Sequence, residues 1–245
     1  MGLVRVAHRG SGIAVVAMDR GKVNAMNLPL LLELRAAMDA AVADDAVRGV
    51  VLTSALPTVF SAGLDMREFD SGDRPRLEKW WHAFQDAWLG VHACAKPCVV
   101  AVNGSAPAGG CAFVLAGDYR VMTRSDKAVI GVPAVLRNIL IPPWFQDAMV
   151  RTVGERHAER LVNTGALLRP AEALGIGLVD ALAEPDAVVD DAVAVAERMA
   201  AVPHGPWLAS KMAMRRATID LVVSRREQDT RDGLAIMENA LTHKL

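Results

Sequence analysis

Cysteine, aromatic side chains and excess charge are all scarce in this chain of 245 residues. It has three cysteines, and an odd number in a chain this long favours free thiols and a cytoplasmic location over a disulfide-bonded, secreted protein. Cys94 and Cys98 have one histidine nearby, His92, and these ligands are too few for zinc. The thiols are therefore interpreted as structural, and no metal site is predicted.

The charge balance and the short apolar runs exclude two further classes of protein. The formal net charge is −1, so the chain lacks the basic excess that drives binding to nucleic acid or to an anionic membrane. No apolar run approaches the roughly 18 residues of a spanning helix. Apolar residues make up 52% of the chain, as in a folded domain. We expect a soluble cytoplasmic protein.

Strand-type and helix-type segments alternate along most of the chain. The runs VRVAHR and IAVVAMD, separated by GSG, predict a β-hairpin. LPLLLELRAAMDAAVAD and RLEKWWHAFQDAWLGVHAC have the apolar spacing of helices. CVVAV is a continuous apolar run, typical of a strand buried on both faces. This alternation predicts an α/β domain.

Beyond Pro185 the pattern is helical only. Three segments have this character: AVVDDAVAVAERMAA, PWLASKMAMRRATIDLVV and REQDTRDGLAIMENALT. We therefore predict an α/β core over residues 1–185 and a helical C-terminal region over residues 186–245.

Two turns built from small residues are the first candidates for a functional site. FSAGLDM (residues 60–66) and PAGGCAF (residues 107–113) each place alanine and glycine at a turn that leads into a helix, the first helical turn starting near Leu64. Such turns expose backbone N–H groups that a ligand can approach closely. Two of them together would hold one oxyanion. The alternative is that small residues merely permit tight packing.

Tryptophan is concentrated in one predicted helix. Trp80, Trp81 and Trp88 lie there, and Trp81 and Trp88 are seven residues apart, so they share a face. That face either packs in the core or between subunits, or it lines a pocket for an acyl chain.

A family resemblance is carried by four segments: VNAMN, FSAGLDM, KPCVVAVNGSAPAGGCAFVLAGDYRV and PAEALGIGLVD. In their order and spacing the chain resembles the crotonase superfamily, the enoyl-CoA hydratase/isomerase group, from about residue 15 to residue 234. It is most similar to the branch of mitochondrial-type Δ3,Δ2-enoyl-CoA isomerases. The resemblance implies a spiral of ββα turns with a C-terminal α-helical trimerisation region, a homotrimer or a hexamer of paired trimers, and a role in fatty-acid degradation. It implies an acyl-CoA ligand and no cofactor beyond the CoA moiety.

The resemblance also assigns the reaction centre. By position, the backbone N–H groups of Ala62 and Gly109 would form the oxyanion hole for the thioester carbonyl. Hydratases carry a glutamate where this chain has Ala112, and the isomerase branch is apolar there. A second glutamate, shared by both groups, is replaced by Ala134. Alanine cannot move a proton, and general acid–base help contributes roughly 10²–10⁴ in rate.

The missing carboxylate leaves several alternatives. Glu68 and Asp70 follow the first turn and are either a substitute base or solvated loop charges. Asp65, Asp118 and Asp147 are interpreted as structural. The leading hypothesis is an isomerase-like protein that stabilises a thioester enolate. The others are a different enolate reaction and an acyl-CoA-binding protein without the usual activity.

The family pattern places the CoA moiety near the first turn and the loop before it. The residues expected at the substrate are Lys22, Asn24, Ala25, Leu64, Asp65, Met66 and Gly110. A late basic patch either reaches the 3′-phosphate or is a solvated face, and it consists of Lys211, Arg215 and Arg216.

Overall fold

The computed structural model describes residues 2–10 and 12–242. The strands in these ranges are β1 (Val4–Arg9), β2 (Ile13–Met18), β3 (Gly49–Ser54), β4 (Cys98–Val102), β5 (Ala106–Pro107), β6 (Tyr119–Thr123), β7 (Ile130–Gly131), β8 (Leu167–Leu168) and β9 (Ala181–Ala183). The helices are α1 (Leu28–Ala43), α2 (Arg74–His92), α3 (Gly109–Ala116), α4 (Pro143–Val153), α5 (Glu155–Thr164), α6 (Pro170–Gly175), α7 (Val188–Ala200) and α8 (His204–Thr242). Two short 3₁₀ helices cover Met66–Ser71 and Val135–Arg137.

The larger sheet has the strand order β1-β2-β3-β4-β6-β9. The pair β1 and β2 is antiparallel, which confirms the predicted hairpin, and the other neighbouring strands are parallel. Every residue of β3 and β4 is buried, as continuous apolar runs predict. A second sheet has the order β5-β7-β8 and lies beside the start of α3. The predicted α/β class is confirmed.

The long helices begin where capping side chains are available. Asn27 accepts the Leu30 N–H at the start of α1, and Asp73 accepts the Arg76 N–H at the start of α2. The buried side of α2 carries three tryptophans and packs against α1, α3 and α8. This packing forms the main core on one face of the larger sheet.

The opposite face of the sheet is covered by α7. Val188, Ala192 and Val195 of this helix are buried in one apolar cluster with Val51 and Val99 of the central strands. Residues predicted to form a separate helical region thus begin with a helix that packs on the α/β core. The division at residue 185 stays a prediction.

The last two predicted helices form one continuous helix, α8, so their predicted separation is wrong. No glycine or proline interrupts the chain around Ser224, and an interruption there had no physical basis. The far end of α8 packs against α2, where Gly233 contacts the Trp81 ring. Within the described residues, no helix combines the length and the apolar character needed to cross a membrane.

Candidate functional site

A largely apolar cavity of about 460 Å³ lies where the two small-residue turns meet. Leu64 and Met66 of the first turn line it together with Gly109 at the start of α3. The chain from Val132 to Phe145 and the side chains of α2 and α8 supply the other walls. A site for an elongated apolar ligand with a polar head is thus built around two backbone turns.

Backbone pairing at the first turn leaves the Leu64 amide free within the described structure. The Met26 N–H donates to Gly63 O at 2.8 Å, and the Asp65 N–H donates to Met26 O at 3.1 Å. Leu64, which lies between these bonds, keeps its own N–H without an acceptor among the described residues. This N–H belongs to a residue that lines the cavity.

The second free amide belongs to Gly109. As the first residue of α3, it has no intrahelical acceptor, and no other acceptor appears in the described part of the chain. A Cβ built on Gly109 would stand 3.3 Å from the Leu64 nitrogen, so the two turns are in contact. Two free donors on one wall have the arrangement that stabilises an oxyanion.

Ala62 lines the same cavity, but its N–H is not available. It donates to Val23 O at 2.9 Å. The predicted donor role of Ala62 therefore does not fit this structure, because the amide already has an acceptor. Leu64, two residues later, takes its place as the candidate partner of Gly109.

The two positions at which the family resemblance implies a glutamate have different surroundings. Ala134 is 9% exposed and lines the cavity. Ala112 is fully buried inside α3, and its carbonyl accepts the Trp88 indole N–H at 2.8 Å. In the described chain no Asp or Glu side chain lines the cavity.

The two carboxylates considered as substitutes lie outside the cavity. Glu68 is buried and accepts hydrogen bonds from the Leu28 N–H at 2.9 Å and from Arg76 at 2.8 Å. Asp70 is exposed at the end of the same 3₁₀ helix. The contacts of Glu68 stabilise the start of α1, and neither acid lines the cavity.

Several residues predicted to touch the substrate instead build the first turn. Asn24 is fully buried, and its amide donates to Ser54 Oγ at 2.7 Å and to Phe60 O at 3.0 Å. Asp65 caps the 3₁₀ helix and pairs with Arg20 at 2.8 Å. Hydrogen bonding from Arg67 lowers the pKa of the Asp65 carboxyl. The polar atoms of both side chains are therefore already hydrogen-bonded or ion-paired within the protein.

The other predicted substrate contacts are mixed. Leu64 and Met66 line the cavity, whereas Gly110 packs so closely on Ser61 that a Cβ there would come within 2.4 Å of Ser61 O. Lys22 is exposed, and Ala25 is half-buried outside the lining. Contact between Lys22 and a phosphate stays a prediction.

Two members of the late basic patch, Lys211 and Arg215, are not free for a ligand, whereas Arg216 is exposed and its contact with a phosphate stays a prediction. The Lys211 ammonium is buried and contacts Asp118 Oδ2 at 2.8 Å, and Arg215 contacts Asp118 Oδ1 at 2.9 Å. Asp118 also accepts the Cys98 N–H at 2.8 Å, which agrees with its predicted structural role. Asp147 is likewise structural, because it accepts hydrogen bonds from Thr218 and Arg151.

The tryptophans of α2 have different surroundings, and an acyl chain beside them stays a prediction. Trp81 lines the cavity and Trp88 is buried in the core. Arg137 and Met237 are among the lining residues that the sequence did not predict. A signal for Arg137 was present, since it is the one charged residue between positions 128 and 146. Across the described ranges, no group of three or more His, Cys, Asp or Glu is placed to share a metal ion.

Comparisons with known proteins agree with this geometry. A family model described as "Enoyl-CoA hydratase/isomerase" matches residues 8–238. Enoyl-CoA delta isomerase 1, mitochondrial, of Mus musculus is 38% identical over 219 residues, which cover 89% of this chain and 76% of that protein. A probable enoyl-CoA hydratase of Rhizobium meliloti (strain 1021) is 30% identical over 206 residues, covering 84% and 78%. The crystal structure of human mitochondrial delta3-delta2-enoyl-CoA isomerase superposes with a TM-score of 0.93 at 33% identity, covering 98% of this chain and 96% of that one. The spiral fold expected from the resemblance is confirmed.

Proposed function

The chain belongs to the enoyl-CoA hydratase/isomerase family, and we propose that it binds an enoyl-CoA thioester and stabilises the enolate formed when a double bond moves from Δ3 to Δ2. The observation that carries this proposal is the pair of unpaired N–H groups, Leu64 and Gly109, on the wall of an apolar cavity. The name of the human relative, an isomerase, supports the same reaction.

The proposed chemistry follows from where charge develops. In a Δ3-to-Δ2 shift a base takes a proton from C2 and a proton is returned to C4; no Asp or Glu of the described lining can be that base, so water or a buffer base would have to carry the proton. The negative charge left on the carbonyl oxygen is stabilised by the two fixed N–H donors. Loss of one such donor typically costs roughly 10²–10³ in rate. The apolar lining strengthens the effect, because charges and dipoles interact more strongly where water is excluded. The backbone alone thus supplies the electrostatic part of catalysis.

Isomerisation is favoured over hydration by the surroundings of α3. A hydratase needs a carboxylate beside the start of this helix to activate water. Ala112 is buried there, and its carbonyl oxygen accepts the Trp88 indole N–H. Neither the alanine side chain nor the indole takes up a proton. A double-bond shift needs no added water.

A second candidate function is acyl-CoA binding without the usual turnover. The observation in its favour is the lack of an Asp or Glu side chain in the described lining of the cavity, with Ala134 at the position of the shared glutamate. Without a base, the oxyanion site would hold a thioester but leave its α-proton in place.

Conversion of 3-enoyl-CoA by wild type, Ala134→Glu and Ala134→Gln separates the two functions. Turnover by wild type that is absent from buffer supports the isomerase. Inactive wild type together with a gain of about 10²–10⁴ in Ala134→Glu alone supports binding without turnover. Ala134→Gln controls for side-chain size. If saturated acyl-CoA does not bind to wild type, both functions fail.

The proposal also covers the oligomeric state of the protein and its location in the cell. We expect a homotrimer or a hexamer of paired trimers, and native mass spectrometry would distinguish them. A cytoplasmic location rests on the three free, buried cysteines and stays a prediction. The Mus musculus relative is named mitochondrial, so imaging of the tagged full chain is the relevant measurement.

A further inference from the structure

One ionisable side chain, Arg137, lines the otherwise uncharged cavity in the described structure. Its guanidinium has no hydrogen-bond or ion-pair partner among the described residues. The neighbouring lining is apolar and includes Val132, Ile139 and Phe145. Arg137 is exposed, so water solvates its guanidinium until an anionic group of a ligand replaces that water.

The backbone holds Arg137 on the cavity side. It is the last residue of the 3₁₀ helix Val135–Arg137, and its N–H donates to Ala134 O at 2.9 Å. In a 3₁₀ turn, side chains three positions apart lie on the same side. Ala134 lines the cavity, and therefore Arg137 extends from the same side of the turn. The chain reverses after it at Asn138, whose φ is 54°.

A planar guanidinium binds carboxylates through two parallel hydrogen bonds, and such charge-assisted bonds are among the strongest in proteins. Resting on the proposed binding of acyl-CoA, we propose that Arg137 selects acyl-CoA thioesters whose acyl chain carries a carboxylate. The phosphates of CoA are the alternative anion, but the surrounding apolar wall suits an acyl chain better than a nucleotide.

The test compares two ligands of equal length, hexanoyl-CoA and adipoyl-CoA, which differ at the far end of the chain. Isothermal titration should show that wild type binds adipoyl-CoA about tenfold more tightly, the gain typical of a charged hydrogen bond. Arg137→Leu should lose this preference, so that it binds the two CoA esters with equal affinity. Arg137→Lys should keep part of it, because it retains the charge but not the fork.

Arg156→Leu is the matched control, because this arginine is exposed on α5, outside the cavity lining, with one weak contact to Glu159. It should leave both affinities unchanged. Thermal melting of each variant checks that the fold is retained.

Two results would overturn the proposal. Equal affinities of wild type for the two CoA esters would show that Arg137 does not bind a carboxylate at the end of the acyl chain. Equal weakening of both by Arg137→Leu, absent with the matching pantetheine esters that lack the nucleotide phosphates, would assign Arg137 to a phosphate. If wild type binds neither CoA ester, the proposed acyl-CoA function itself fails, and this inference fails with it.

Discussion

A Cβ atom added to Gly63 would stand 2.7 Å from the backbone nitrogen of Gly109. The two turns therefore meet through glycine, and no larger residue fits at that contact. Gly63 also has φ +92°, a conformation that side chains rarely adopt. Close approach of the turns brings the Leu64 and Gly109 amides to one wall of the cavity.

Gly63→Ala should separate the two turns and weaken ligand binding. The positive φ alone costs about 1–3 kcal/mol, and the clash with Gly109 adds a further cost of about 1–3 kcal/mol. Urea unfolding measures the loss of stability, and titration with a saturated acyl-CoA should show at least tenfold weaker binding.

Gly72→Ala is the matched control for this variant. Gly72 has φ +62°, but no atom lies within 4 Å of an added Cβ. It should show the cost of backbone strain without the clash and bind acyl-CoA normally. Equal effects of the two substitutions would show that contact between the turns is unimportant.

Ala108→Gly should stabilise the protein. Ala108 precedes α3 with φ 53° and ψ −120°, which a residue with a Cβ adopts at a cost. Glycine removes that cost, and the gain should outweigh the entropy that glycine adds to the unfolded chain, leaving roughly 0.5–1 kcal/mol.

The control for Ala108→Gly is Ala112→Gly inside α3. There the backbone is helical, and glycine should lower the free energy of unfolding by about 1 kcal/mol. Urea unfolding of both variants gives the comparison. A loss of stability in Ala108→Gly would show that the positive φ is not strained.

The sequence was informative where structure is local. Apolar spacing predicted α1 and α2, because this signal lies within the helices themselves. The helical turn expected to start near Leu64 instead begins at Met66, because Asp65 caps it. Element ends depend on such side-chain bonds, which a periodic pattern does not reveal.

The candidate site depends on contacts between distant segments, and these were harder to predict. Gly109 and Ala134 could be found by position in a motif. The first turn pairs with the loop before α1, and this pairing was not visible in the sequence. Because of it, the Ala62 N–H donates to Val23 O and the Leu64 N–H is left without an acceptor among the described residues. The ion pairs of Lys211 and Arg215 with Asp118 join positions about a hundred residues apart, so two members of the predicted basic patch are buried while the third, Arg216, stays exposed.

Asp118→Asn should destabilise the protein strongly. The Asp118 carboxylate is buried and binds both Lys211 and Arg215 of α8 as well as the Cys98 N–H of β4. Asparagine removes the negative charge and leaves two buried cations, which costs about 3–5 kcal/mol in comparable sites. Thermal and urea unfolding measure this loss.

Glu184→Gln provides the comparison for an exposed ion pair. Glu184 contacts Arg124 at 3.2 Å, and both side chains are more than half exposed. Its loss should change the free energy of unfolding by about 0–1 kcal/mol. Similar values for the two substitutions would mean that Asp118 does not tie α8 to the sheet.

Asp229→Asn should stabilise the protein at neutral pH. Asp229 is buried on α8, Oδ2 has no partner among the described residues, and burial raises the pKa of its carboxyl despite Arg225 at 3.2 Å. When the pKa of an acid is raised by folding, the favourable contribution of its protonated form is complete below the unfolded pKa and is lost as pH rises through the folded pKa. Above the folded pKa, the free energy of unfolding of the wild type is lowered by about 1.4 kcal/mol for each pKa unit by which folding raises the pKa of Asp229. Urea midpoints of both proteins should therefore diverge between pH 4 and pH 7, with the variant more stable at pH 7.

Asp220→Asn, at an exposed site of the same helix, should show no such divergence. A stability difference that is constant with pH would contradict the raised pKa of Asp229.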